Sequence, residues 1–207
     1  MLDPGILIFF TGTSLLLALA PGPDNIFVLT QSAIQGPLVG IVITLGLCTG
    51  LIVHTMAVAF GLAVVFQVSS LAFILLKCLG AAYLLYLAYS AFQAGALLDA
   101  VAIGRENLWR FYRRGILMNV SNPKVSIFFL AFLPQFSDPA KGNLPLQLIL
   151  LGFLFMLSAL IVFALISLLA GLIAKQFRRS ARIQQGLNIG TGIIFVGLAL
   201  KLLLWTD

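Results

Sequence analysis

Apolar stretches long enough to cross a lipid bilayer recur along this chain of 207 residues. A helix needs about 20 apolar residues to cross a hydrocarbon layer about 30 Å thick. Only 9% of the residues are charged, whereas soluble domains use about a quarter. The pattern predicts an all-α membrane protein of about six transmembrane helices, forming a single transmembrane domain over residues 1–207. The predicted spans are 6–35, 38–66, 70–92, 113–134, 145–173 and 187–205.

The basic residues of the chain, which give it a net charge of +6, are concentrated in two segments between predicted spans. Residues 94–114 contain four arginines, and residues 174–185 contain one lysine and three arginines. Lys and Arg in short loops are retained on the cytoplasmic side of a membrane. Both segments are therefore predicted to be cytoplasmic loops. The orientation of the chain in the membrane therefore explains its basic charge. Membrane lipid is the expected partner, and no nucleic-acid partner is expected.

Proline interrupts the first and the fourth predicted spans. Pro21-Gly22-Pro23 follows a run of apolar and small residues, and Asn122-Pro123 splits the fourth span. Because the two breaks lie three spans apart, they predict two inverted three-helix repeats. In many secondary transporters of this kind, paired broken helices mark the binding site.

Both breaks have the sequence of a helix start. Proline favours the first helical position, where its missing N–H is no loss. Asn122 is a good N-cap for a helix that begins at Pro123, and Pro23 can begin the other helix. Two such N-termini meeting near the middle of the membrane would form an anion site. The alternative is two kinks that pack in the bundle without a ligand.

Asp24 and Lys124 are the charged residues predicted to lie deep in the two broken spans. A charge at the centre of a membrane helix costs about 2.5–3.5 kcal/mol on insertion scales, so each should face a partner or a wet cavity. One interpretation is a substrate or coupling site formed by Pro21, Gly22, Pro23, Asp24, Asn25, His54, Asn122, Pro123 and Lys124. The other is a structural ion pair between Asp24 and Lys124.

Three further features bear on function. His54 is the only histidine; it is a candidate proton relay, because histidine changes charge near physiological pH, or it hydrogen-bonds to a neighbouring helix. Gly46 and Gly50 have the spacing that lets membrane helices approach closely, either within the protein or in a homodimer. The sequence contains no Ser–His or metal-ligand constellation, so neither an enzyme nor a metal or other cofactor is expected.

These motifs resemble the lysine-exporter superfamily (LysE), and more closely its homoserine/threonine/leucine efflux branch (RhtB), over nearly the whole chain. The residues that carry the resemblance are Pro21-Gly22-Pro23-Asp24-Asn25, the glycine-rich span that ends in His54, the stretch 79–87 and, most specifically, the stretch 122–136.

The resemblance implies a multi-pass protein of the bacterial cytoplasmic (inner) membrane. It would export amino acids or close metabolites by proton antiport, with alternating access around a midplane site. A related group of redox transporters has cysteines beside the helix-breaking prolines, whereas this chain has Ala20 and Asn122 there. A membrane redox carrier, an intramembrane enzyme and a channel or cation-efflux protein are the alternatives.

Overall fold

Helices form every regular element of the part of the chain that the structure, a computed structural model, describes: residues 2–68, 70–93, 107–179 and 181–204. The helices are α1 (Pro4–Leu19), α2 (Pro23–Gln35), α3 (Pro37–Val68), α4 (Ser70–Gln93), α5 (Leu108–Val120), α6 (Pro123–Ile127), α7 (Leu144–Arg179) and α8 (Ala181–Leu204). After α6 the chain continues as a π-helical turn, Phe128–Phe132, and two 3₁₀ turns, Leu133–Phe136 and Pro139–Lys141.

The prediction of about six spans with the first and fourth broken at proline is confirmed. Parts of α3, α7 and α8 are each long and apolar enough to cross a membrane. α1 and α2 form a bent pair with an angle of 60°, and α5 bends by 49° into the segment Pro123–Phe136. Counted as one span each, the bent pairs bring the number of candidate spans to five, and α4, a helix of 24 residues, corresponds to the remaining predicted span, 70–92.

The prediction that residues 174–185 form a loop is wrong, because α7 continues to Arg179 and α8 begins at Ala181. Similarly, α5 begins at Leu108, so the end of the segment 94–114 is helical, while residues 94–106 lie outside the described residues. Hydropathy locates the hydrocarbon layer, whereas a helix can continue into the interface where long basic side chains reach water. The cytoplasmic location of both segments stays a prediction.

The two halves of the chain use the same packing pattern. The first broken helix, α1 with α2, packs mainly against α7, and α5 of the second packs against α3. In addition, α3 packs against α7 and α4 packs against α8. When each helix is replaced by its counterpart in the other half, α1 and α2 by α5 and α6, α3 by α7 and α4 by α8, the same set of packing contacts results. With three spans in each half, the two repeats have opposite directions across the membrane, which is the inverted arrangement that the sequence predicts.

Glycine allows α3 and α5 to pack backbone against backbone. A Cβ atom on Gly46 would overlap the backbone carbonyl of Tyr112, and one on Gly115 would overlap that of Ile43. One turn along α3, a Cβ on Gly50 would lie 2.7 Å from the Cβ of Asn119. The Gly46 and Gly50 pair therefore serves packing within the protein.

We expect Gly46→Ala to lower the melting temperature of the purified protein by about 4 °C or more. The added methyl group would meet a helix backbone that cannot rotate away, and overpacking typically costs about 1–3 kcal/mol. The matched control is Gly61→Ala on the same helix, where nothing lies within 4 Å of the new Cβ. Equal melting temperatures for the two variants would contradict the close packing of α3 and α5.

Candidate functional site

The first break leaves carbonyl groups at the end of α1 that need donors from elsewhere. Pro21 has no N–H, so the carbonyl of Leu17, four residues earlier, loses its usual partner. The Lys124 ammonium donates to this carbonyl at 3.1 Å and to the carbonyl of Ala20 at 2.8 Å. Asn25 Nδ2 donates to the carbonyl of Ala18 at 2.7 Å. Side chains that the sequence singles out therefore close the carbonyl end of α1.

The second break begins a helix in the predicted way. The Oδ1 atom of Asn122 accepts a hydrogen bond from the backbone N–H of Lys124 at 3.0 Å, and Pro123 occupies the first helical position. Since Pro123 has no N–H, the carbonyl of Asn119 is also released. It accepts a bond from the backbone N–H of Asn122 at 3.0 Å.

His54 provides the other donor to this released carbonyl. Its Nε2 atom lies 3.1 Å from the carbonyl oxygen of Asn119. Because a carbonyl oxygen can only accept, Nε2 carries the proton in this contact. His54 thus makes the hydrogen bond to a neighbouring helix that is one of its two predicted roles, and the proton-relay role stays a prediction.

Asp24 is buried next to Asn119 rather than paired with lysine. Its Oδ2 atom is 3.4 Å from the Nδ2 donor of Asn119, a long hydrogen bond. Among the described residues, Asp24 and Lys124 form no ion pair, because the ammonium is bound to the carbonyls of α1. The Oδ1 atoms of Asp24 and Asn119 are buried without a hydrogen-bond partner in the described part of the chain.

A cavity of about 340 Å³ lies where the two breaks meet α4 and α8. Its walls include the break residues Pro21, Gly22, Pro23, Asn122, Pro123 and Lys124. The facing wall contributes the polar side chains of Ser90, Asn188 and Thr191 together with the rings of Tyr83 and Phe195. The cavity is therefore lined by one cationic group, several neutral hydrogen-bonding groups and apolar surface.

Asp24 and Asn25 line a second, much smaller cavity of about 20 Å³, together with Asn119. Asn122 and Lys124 contribute to the walls of both cavities. The structure thus brings eight of the nine predicted site residues to the two cavities. The carboxylate of Asp24 lines only the smaller cavity and not the larger one. His54 reaches this region through Asn119 without lining either cavity.

The two helix starts differ in what they offer a ligand. Gly22 has no side chain, and α2 begins without a side-chain cap, so its first N–H groups lack the usual partners. At the other start, Asn122 already occupies the N–H of Lys124. An anion in the larger cavity would therefore find its backbone donors at α2 and its charged partner in Lys124.

Sequence reasoning did not single out Asn119, Ser90, Asn188 or Thr191. Asn119 is the one polar side chain in the run from Gly115 to Val120, which is a signal that sequence reasoning could have used. Asn188 and Thr191 are three residues apart, which places them on one helix face. Nothing in the sequence alone indicates that this face lies opposite the two breaks.

Comparison with known proteins gives consistent matches. The sequence profile of the LysE type translocator family matches residues 15–206. The uncharacterized membrane protein YrhP of Bacillus subtilis is 33% identical over 196 residues, which cover 90% of this chain and 92% of that relative. A homoserine/homoserine lactone efflux protein of Salmonella typhimurium is 37% identical over 139 residues, 67% of this chain and 68% of the relative. A leucine efflux protein of an Enterobacter species is 25% identical over 202 residues, 96% of each chain. No solved structure matches significantly.

Proposed function

Because this chain belongs to the LysE type translocator family, we propose that it is a secondary active exporter of amino acids or related metabolites in the bacterial cytoplasmic membrane. Membership confirms the resemblance drawn from the motifs. The relatives named for efflux of homoserine, homoserine lactone and leucine support the amino-acid class of substrate. We assign the substrate to the larger cavity and proton coupling to the buried group around Asp24.

The observation that carries this proposal is the cavity at the junction of the two breaks. A free amino acid has a carboxylate and an ammonium, both costly to remove from water. The carboxylate would bind the uncapped N-terminus of α2 and Lys124, which has three N–H donors and uses two on the carbonyls of α1. The oxygen atoms of Ser90, Asn188 and Thr191 on the facing wall can accept from the ammonium.

Asp24 is the proposed proton carrier. It lies behind Asn122 and Lys124, which also line the substrate cavity, so its charge acts on the substrate across a short distance in a poorly solvated region. Asn119 contacts both Asp24 and His54, through its amide and its backbone carbonyl respectively. A proton on Asp24 would alter this chain of contacts between the two halves, and alternating access would follow from movement of one half against the other.

The placement of the cavity supports an inward-facing conformation. Ser90 is near the end of α4 and Asn188 near the start of α8, next to the segments predicted to be cytoplasmic. Toward the other side, the rings of Phe10 and Phe136 meet at 5.0 Å between centroids, and the Lys201 ammonium lies 3.3 Å from the ring centroid of Phe9. We assign these aromatic contacts to the closed outward gate.

A growth screen followed by a flux assay tests the function. Cells that overproduce the protein are challenged with toxic levels of each amino acid, homoserine and common analogues, and we expect protection against a small set of them. In proteoliposomes, the protecting compound should show counterflow, and a protonophore should abolish its net export. Protection by no compound, or flux without counterflow, would contradict an exporter and favour a channel. Loss of flux in a Cys48→Ser/Cys78→Ser variant would favour the redox carrier.

The sidedness of the chain can be measured with single cysteines in that cysteine-free background. We expect cysteines at positions 110 and 179 to be shielded from a membrane-impermeant thiol reagent in intact cells, because the basic segments are assigned to the cytoplasm. A cysteine at position 141, in the turn before α7, should be labelled. Labelling of the first two and not the third would reverse the orientation and the inferred direction of transport.

A further inference from the structure

The Lys124 ammonium occupies a position with an unusual set of ligands for a lysine in a membrane helix. It donates to two backbone carbonyls at the end of α1, those of Leu17 and Ala20. It is contributed by α6, which follows the break in the second broken span and is more than a hundred residues away in the chain. Among the described residues, it forms no salt bridge to Asp24.

Carbonyl groups at the unwound C-terminal end of a half-helix are the ligands with which many secondary transporters hold Na⁺. Such an end carries a partial negative charge and unpaired carbonyl oxygens. Here Pro21 ends the regular bonding of α1 and leaves the carbonyl of Leu17 available. A small cation at this point would satisfy both the charge and the released oxygen atoms.

We infer that the Lys124 ammonium is the resident cation of this transporter, fixed by a side chain at the kind of site where other secondary transporters bind a metal ion from solution. It links the end of α1 to the start of α6 and so holds the two broken spans together. The link between the two repeats is therefore a lysine–carbonyl contact and not the ion pair between Asp24 and Lys124 that the sequence also suggested. It follows that export does not require Na⁺. Lys124 then positions the end of α1 relative to the start of α6, in addition to its proposed role as a ligand of the substrate.

The same ammonium is within reach of the substrate cavity. Gly22 leaves space beside it, since a Cβ at that position would lie 3.4 Å from Nζ. Two of the three N–H donors of Lys124 are used by α1, and the third remains for a carboxylate. This last step rests on the proposed function, because it takes an amino acid as the substrate; the link between the repeats does not.

Thermal unfolding of the purified Lys124→Ala variant tests the inference without a substrate. The variant should melt about 5 °C or more below the wild-type protein, because two carbonyls lose their donor in a buried site. Propylammonium replaces the atoms that the substitution removes. At ten times its dissociation constant, propylammonium should raise the melting temperature of the variant by about 3–6 °C. Na⁺ can bind the same carbonyls and raise the melting temperature in the same way.

Tetramethylammonium at equal ionic strength is the control salt, because it has no N–H donor, and Lys141→Ala is the control variant, because Lys141 is exposed in a surface turn. An unchanged melting temperature in Lys124→Ala would overturn the inference. So would a variant that responds to neither propylammonium nor Na⁺ beyond its response to tetramethylammonium. A requirement of wild-type export for Na⁺ would overturn it too, while leaving the export function intact.

A second variant keeps the test decisive if Lys124→Ala yields no folded protein. Pro21→Ala restores an N–H that can bond to the carbonyl of Leu17 within the helix. The double variant Pro21→Ala/Lys124→Ala should then give more monodisperse protein than Lys124→Ala alone. Equal yields from the two would show that the ammonium does not serve the released carbonyl, and the inference would fail.

Discussion

Asp24→Asn is expected to reduce gradient-driven export to background while the protein still inserts and folds. The substitution keeps the shape of a side chain that is 4% exposed and lies beside Asn119, but an amide cannot take up or release a proton at physiological pH. Counterflow of the substrate between equal pH values should persist, because exchange needs no net proton movement. The measurement is efflux from proteoliposomes with and without an imposed pH gradient.

Asp138→Asn provides the matched control for this prediction. Asp138 is an exposed carboxylate that pairs with Lys141 at 3.6 Å in the turn before α7, and its loss should leave export unchanged. Wild-type export by Asp24→Asn would end the assignment of Asp24 to coupling. If coupling survives and counterflow weakens, Asp24 binds substrate, and His54 becomes the candidate proton carrier.

The double variant Asp24→Asn/Lys124→Gln is expected to remain inactive, with export at least about tenfold below the wild-type rate. A structural ion pair makes the opposite forecast, because removing both buried charges together would relieve the cost of leaving either one alone. In the structure the ammonium serves carbonyls of α1 and not the carboxylate, so neutralising Asp24 does not compensate for losing it. Initial rates should be compared at equal amounts of reconstituted protein.

Lys124→Arg is the companion variant, and its export rate should stay below that of the wild-type protein. A guanidinium is a planar fork, whereas the ammonium meets two carbonyl groups as a compact charge. Near wild-type export by the double variant would revive the ion-pair interpretation. Full activity of Lys124→Arg would show that charge alone, without the geometry at the end of α1, is sufficient.

Local signals in the sequence were enough to predict the membrane spans and the two breaks. The apolar stretches predict the spans because removing backbone polar groups from water forces helices in a bilayer. Proline predicts the two breaks because it lacks an N–H and sterically opposes the preceding turn. The cap at Asn122 follows for the same reason: its bond to the N–H of Lys124 spans two residues and is decided by the sequence around it.

Only the tertiary structure decides how the helices are positioned against one another. That positioning determines the partners of the buried polar groups. Lys124 meets Leu17 across 107 residues, and Asn119 meets Asp24 across 95. Sequence placed Asp24 and Lys124 at corresponding breaks and so suggested either an ion pair or one shared site. Packing instead turned the ammonium onto the carbonyls of α1 and placed the carboxylate at a separate, smaller cavity. The reason is physical: a released carbonyl needs a donor wherever the fold can supply one, and no sequence spacing records which side chain from the other half will reach it.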